Sequence, residues 1–134
     1  GKFPTMNGSD NVTLFRVEEM HLIAAETSLR AGNSADALSY LNNIPAIRGL
    51  GADYYASATL ENILEERRKE FAFEGLRFHD LSRMGLDMPQ IDSFKQLNDD
   101  LTGTPPTYGS HRYAYPIALA ERNANPNMVQ NYGY

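Results

Sequence analysis

The chain has 134 residues, an apolar fraction of 42%, a charged fraction of 22% and a formal net charge of −5. That length carries one domain with a real core and is too short for two, with the composition of an ordinary globular protein. The acidic balance argues against nucleic acid as a partner, and the absence of cysteine removes disulfides, thiolate nucleophiles and thiolate metal sites.

Residues 1–11, GKFPTMNGSDN, are turn-rich and offer little to bury, so they read as a flexible start. Together with Gly1 they suggest a cut in a longer polypeptide. Residues 14–31, LFRVEEMHLIAAETSLRA, suit a helix: free of Pro and Gly, with Ala24 and Ala25 at points of close contact. Gly32 ends it where a left-handed cap suits glycine. Asn33 or Ser34 is expected to cap a second helix, with Asp36 well placed against its N-terminal dipole. Ala37, Leu38, Leu41 and Ile44 give that helix its inward spacing, and Pro45 is expected to break or kink it. Two helices joined by a short Gly-Asn-Ser turn form an antiparallel hairpin. The pattern of Ala24, Ala25, Gly32, Ala37, Tyr40 and Pro45 echoes one tetratricopeptide unit, with no second copy in the chain.

A linker with Gly49, Gly51, Tyr54 and Tyr55 leads to a third helix, capped at Ser57 or Thr59 and expected to reach about Glu74. Gly75 punctuates it. LRFHDLSRM follows as a shorter fourth helix stopped by Gly85. Beyond it Pro and Gly dominate. Residues 91–100 suit a helical turn or two, Tyr113 to Pro116 a short extended piece, and Ala118 to Arg122 a single turn. The whole is an all-α fold: a tetratricopeptide-like hairpin plus two further helices over 14–84, then a long, mostly irregular segment over 85–134.

Between Ile63 and Arg83 the sequence ILEERRKEFAFEGLRFHDLSR holds five acidic and five basic side chains. Winding residues 60–74 at about 100° per residue puts Leu60, Ile63, Leu64 and Phe71 on one side. Arg67 and Glu74 fall within the same arc, so both are expected to be at least half-buried, while Glu61, Glu65 and Lys69 face solvent. A buried charge without a partner costs several kcal/mol. Arg67, Glu70, Glu74 and Arg77 are therefore expected to form a ladder of local ion pairs, repeated by Asp80 and Arg83. Glu66, Arg68 and these six make the expected structural charge network. Glu70 and Glu74 could otherwise be read as an acid–base pair of a glycoside hydrolase. A guanidinium one turn away from each holds it ionised and poorly basic, which suits a general acid badly.

Other chemistry finds little support. His21, His79 and His111 lack metal-ligand spacing. Ser28 and Ser82 lie in helices without a strand-turn-helix context for a nucleophile. Asn98–Asp100 lacks the alternating ligands and terminal Glu of a calcium loop. No Gly-rich phosphate loop occurs, and no cofactor, metal or catalytic residue is expected. No apolar run approaches the roughly 20 residues that span a bilayer. Of the eight tyrosines, Tyr54, Tyr55 and Tyr108 are candidates for stacking on a sugar ring, against the plainer reading that they pack loops onto the core.

The charged stretch resembles the signature of the SusD/RagB family, Ile-Leu-x-Glu-Arg-Arg-x-Glu-Leu-x-Phe-Glu-Gly-x-Arg-x-x-Asp-Leu-x-Arg. It matches at Glu66, Arg67, Arg68, Glu70, Phe73, Glu74, Gly75, Arg77, Asp80, Leu81 and Arg83, with Phe71 where Leu is usual. Upstream, Arg16, Glu19, Leu22, Ala25, Glu26, Gly32, Ala37, Leu41, Asn42, Gly49 and Leu50 fall on a second family pattern, which departs at IPAIRGL around Pro45. The finish, YPIALAERNANPNMVQNYGY, is similar to a third, with Ala118 and Tyr132 in place of Pro. The resemblance covers nearly the whole chain but only the C-terminal portion of a typical member. It implies a helical, non-catalytic outer-membrane lipoprotein that captures glycans or other nutrients and delivers them to a SusC-like TonB-dependent transporter. The lipid anchor would lie outside this chain. A helical-hairpin scaffold that binds a peptide or protein segment is the alternative, and a hydrolase the third.

Overall fold

A computed structural model describes residues 15–89 and 106–134. The expectations for the flexible start at 1–11 and for residues 91–100, including Asn98–Asp100, lie outside the described residues. Among the described residues all regular structure is helical, and the chain is an all-α protein. The helices are α1 (Val17–Arg30), α2 (Ser34–Ile47), α3 (Leu60–Glu70), α4 (Leu76–Met84) and α5 (Leu119–Ala124), with a 3₁₀ turn at His111–Tyr113. The chain divides into two compact units after Ala72, the first carrying α1–α3 and the second α4 and the C-terminal segment.

In the first unit α1 and α2 form the expected hairpin. Gly32 takes a left-handed φ of 85°, and Asn33 N–H reaches back to the Ser28 carbonyl at 2.8 Å, which satisfies carbonyls at the end of α1. Asn33 is the N-cap residue of α2, but its side chain makes no capping bond. The acidic Asp36 in the first turn is left to favour that helix end electrostatically. Pro45 does not stop α2: the helix runs on to Ile47, with Pro45 inside it and buried. Proline forfeits a backbone donor there, and its ring fills the core instead. The helix then closes with Arg48 N–H on Ile44 O at 3.1 Å and Leu50 N–H on Pro45 O at 2.9 Å.

Helix α3 is capped by Thr59, whose hydroxyl accepts from Asn62 N–H at 3.1 Å. α1 packs on α2 and α3, and α2 also meets α3. Leu22, Ala25, Ala37, Leu41, Ile44 and Ile63 are fully buried in that layer, with Phe71 almost so. Each large apolar side chain withdrawn from water contributes about 1.5–3 kcal/mol. The small Ala25 and Ala37 let the hairpin helices approach. Leu60, expected on the inner side, is exposed.

α3 ends at Glu70, one turn before the expected Glu74. The chain leaves through a turn over 71–75 in which Phe73 adopts a left-handed φ of 66°, a strained conformation for a bulky residue. In the second unit Gly75 and Gly85, both left-handed, bracket α4. Leu86 N–H bonds Leu81 O at 2.9 Å to close its end. The C-terminal residues are tied back on themselves. The Gln130 amide bonds both the N–H (2.8 Å) and the carbonyl (3.1 Å) of Ile117, and Asn131 Nδ2 donates to Tyr115 O at 2.7 Å. The Tyr134 hydroxyl donates to Ala114 O at 2.8 Å. Gly133 lies directly under the His111 ring, where a Cβ would meet His111 Cγ at 2.4 Å. Tyr113 begins no strand. It closes the 3₁₀ turn, and the piece after it is extended but unpaired by any second strand among the described residues.

Candidate functional site

Glu70 in the signature stretch takes its partners from outside that stretch. Because α3 stops at Glu70, the turn carries Glu74 off the helix face, and its residue is exposed, whereas Arg67 is buried. Glu70 is bound instead by two arginines distant in sequence. Arg16, just before α1, donates to Glu70 Oε1 and, at 2.7 Å, to the Glu70 backbone carbonyl. Arg48, just after α2, donates through Nε to Oε2 at 3.0 Å and through its terminal nitrogen to Oε1. Glu18 joins the group, 3.2 Å from Arg48 and 3.4 Å from Arg16. The Glu70 side chain is 6% exposed, while Arg48 remains 46% exposed. The Phe71 ring lies beneath the guanidiniums of Arg16 (4.7 Å) and Arg67 (5.1 Å), a favourable cation–π arrangement. One carboxylate thus joins the start of α1, the end of α2 and the end of α3.

Burial pushes the Glu70 carboxyl up. The hydrogen bonds and charges of Arg48 and Arg16 more than reverse this and hold it below the ordinary carboxylate range. Both of its oxygens are bound by guanidinium, so it has neither a proton to give nor a basic lone pair turned to a substrate.

A second cluster centres on Glu66, buried on α3. It accepts from the Tyr55 hydroxyl at 2.7 Å and from Lys69 Nζ at 3.3 Å, and Lys69 also donates to the Tyr55 oxygen at 2.9 Å. Burial raises the Tyr55 phenol to about 12, with the donated bond from Lys69 opposing and Glu66 reinforcing. Burial lowers the Lys69 ammonium, but Tyr55 and Glu66 outweigh it, so its net shift is upward. Asn42, buried on α2, holds the same loop: its side chain accepts from Tyr55 N–H at 2.8 Å and donates to Tyr55 O at 3.0 Å. Lys69, expected simply to face solvent, lies 5.1 Å from the Tyr54 ring centre and 5.3 Å from that of Tyr55.

Arg68 and Arg83 of the expected network pair locally. Arg68 binds Glu65 at 2.6 Å on the exposed side of α3. Arg83 binds the buried Asp80 at 3.0 Å on α4. Arg77 is half-buried on α4, and its Nε is buried without a hydrogen-bond partner among the described residues. Tyr108 packs its ring on Gly85 and edge-on to Tyr113, 5.7 Å away, with its N–H bound to Asp87 at 2.7 Å. Each histidine has its own local surroundings. His21 stands beside Asn43 and Tyr40, His79 beside Phe78, and His111 over Gly133 and Tyr134.

Sequence reasoning missed Arg48, Glu18 and the role of Arg16, together with the Asn42–Tyr55 clasp and the burial of Glu66. Local spacing carries no signal for partners 22 and 54 residues from Glu70. Buried Glu26, bound by Arg30 at 2.9 Å, was visible only as a motif match.

Solved proteins of the SusD superfamily resemble this chain in fold. One from Bacteroides thetaiotaomicron has a TM-score of 0.73 at 34% identity, covering 97% of this chain and 30% of that one. Another from Bacteroides vulgatus has a TM-score of 0.67 at 31% identity, covering 91% of this chain and 28% of that one. The chain belongs to the SusD family, whose pattern matches residues 4–134. It is 31% identical over 124 residues to the starch-binding protein SusD of Bacteroides thetaiotaomicron, covering 92% of this chain. It is 29% identical to a SusD-like protein of Formosa agariphila, covering 96% of this chain. The chain spans 22% and 25% of the length of these two curated relatives. No described helix is long and apolar enough to cross a membrane.

Proposed function

We propose that the chain serves in non-catalytic capture of a glycan at the bacterial outer membrane. In this reading a lipid anchor holds the protein at the cell surface, and the glycan passes to a SusC-like TonB-dependent transporter. The observation that carries the reading is membership of the SusD family across residues 4–134, together with the similarity to a protein named for starch binding. The state of Glu70 supports a binding role over hydrolysis. A retaining or inverting glycosidase needs a carboxyl that holds a proton near neutral pH, and Glu70 is clamped as an anion by two guanidiniums. We read the charge clusters around Glu66, Glu70 and Asp80 as structural: the first two join helix ends and a loop, and the third pairs within α4.

Affinity electrophoresis of the protein through gels containing starch, xylan, mannan or pectin tests the glycan reading. Retardation by one polysaccharide, without release of reducing ends, is the expected result. Co-purification with a TonB-dependent transporter from solubilised outer membranes tests delivery. A peptide-binding scaffold is the second reading, favoured by the exposed Val17, Met20 and Ile23 along α1. Binding of a protein ligand with no retardation in any glycan gel would establish it instead.

A further inference from the structure

We propose that Tyr54, backed by Lys69, is a stacking subsite for a neutral sugar ring. This rests on the glycan-binding reading above and adds a place on the chain where a sugar would lie. Four tyrosines illustrate how the geometry selects one. Tyr55 is half-buried, and its hydroxyl is already shared between Glu66 and Lys69. Tyr108 lies against Gly85 and Tyr113. Tyr132 is 93% exposed, and nothing fixes its ring direction among the described residues. Tyr54 combines exposure with fixation. The residue is 47% exposed, while Tyr55 meets its ring edge-to-face at 4.9 Å and 82° and Lys69 stands 5.1 Å from the ring centre.

The backbone beneath it is fixed as well, because Asn42 takes both the N–H and the carbonyl of the adjoining Tyr55. A ring held in place before binding loses little conformational freedom when a ligand stacks on it. Tyrosine offers an apolar face to the C–H groups of a pyranose and a polar tip to its hydroxyls. An ammonium has three donors. Lys69 uses one on Tyr55 and one on Glu66, which holds the ammonium in place over one face of the Tyr54 ring. Glu66 lies 3.3 Å from that ammonium, so the local charge is already balanced and a neutral sugar fits better than a uronate.

The test is isothermal titration of the natural polypeptide with maltoheptaose, xylohexaose, mannohexaose and a galacturonate oligomer. Tyr54→Ala, Tyr54→Phe and Tyr132→Ala are titrated in parallel, with melting curves recorded for each. The expected result is binding of a neutral oligosaccharide that weakens about tenfold in Tyr54→Ala, the loss typical of one anchoring ring. Tyr54→Phe should fall between the wild type and Tyr54→Ala, Tyr132→Ala should bind like the wild type, and all four proteins should melt together. A neutral oligosaccharide bound equally by wild type and Tyr54→Ala overturns the subsite and leaves the glycan reading standing. Binding only of the galacturonate oligomer overturns the neutral-sugar assignment. No binding of any of the four by the wild type, nor of any polysaccharide in the gels, overturns both.

Discussion

Replacing Glu70 by Gln isolates the contribution of the charge that joins the three helices of the first unit. The amide keeps the size of the side chain and removes its charge, so the site stays filled while Arg16 and Arg48 lose their shared counter-ion. Removing one partner of a fully buried pair costs about 3–5 kcal/mol. Glu70 approaches that limit at 6% exposure, but Arg48 is half in water and keeps Glu18, so the expected loss is about 2 kcal/mol. For a chain of this size that lowers Tm by roughly 6–10 °C. The exposed Glu74 is the internal control, and Glu74→Gln should cost under about 1 kcal/mol. Thermal melts by far-UV circular dichroism at pH 7 measure both. The pH dependence has a definite sign. An unfolded Glu titrates near about 4.3, and Glu70 in the fold is held lower. The unfolded chain therefore takes the proton first, so the stabilisation is complete above the unfolded value and is lost as pH falls through the folded one. The difference between wild type and Glu70→Gln should stay constant from about pH 7 to 5.5 and narrow below about 4.3. Equal melting of wild type and Glu70→Gln, or equal losses for Glu70→Gln and Glu74→Gln, would refute the reasoning.

Alkaline absorbance titration at 295 nm should show a tyrosine ionising near 12, and Tyr55→Phe should remove that step. Since the folded value lies above the unfolded one, the matching stabilisation is whole below about pH 10 and disappears as pH rises through 12. Asn42→Ala should cost about 1–3 kcal/mol by leaving the Tyr55 backbone without its buried partners, and amide exchange at Tyr55 should accelerate with it. Gly133→Ala should loosen the C-terminal tie. The new methyl would overlap His111 at a φ of 92°, a change worth at least about 1 kcal/mol, read as faster exchange at Ile117.

The hairpin was legible because its signals are local. Ala25 marks close approach, Ala37 marks the inner face of α2, Gly32 marks the turn, and Thr59, one of two candidate caps, marks the start of α3. The end of α3 was not, because nothing in FAFEG forbids helix until Gly75, and a left-handed Phe73 is a conformation that propensity disfavours. Pro45 misled in the opposite direction: its local cost was plain, and its burial in the core was not. For the charges, composition revealed that neutralising partners were required. Helical spacing then assigned them to neighbours, whereas the fold brings Arg16 and Arg48 to Glu70 from two other helix ends. The clasp of Asn42 on Tyr55 has no sequence-local signature at all, since side chain and backbone are 13 residues apart.

The Gln130 amide has a consequence for how this protein behaves at high concentration. By taking both the donor and the acceptor of Ile117, one side chain imitates a neighbouring strand and closes the hydrogen-bonding edge of the extended stretch around it. A second chain therefore finds no open donor–acceptor pair at Ile117 on which to start a cross-chain sheet.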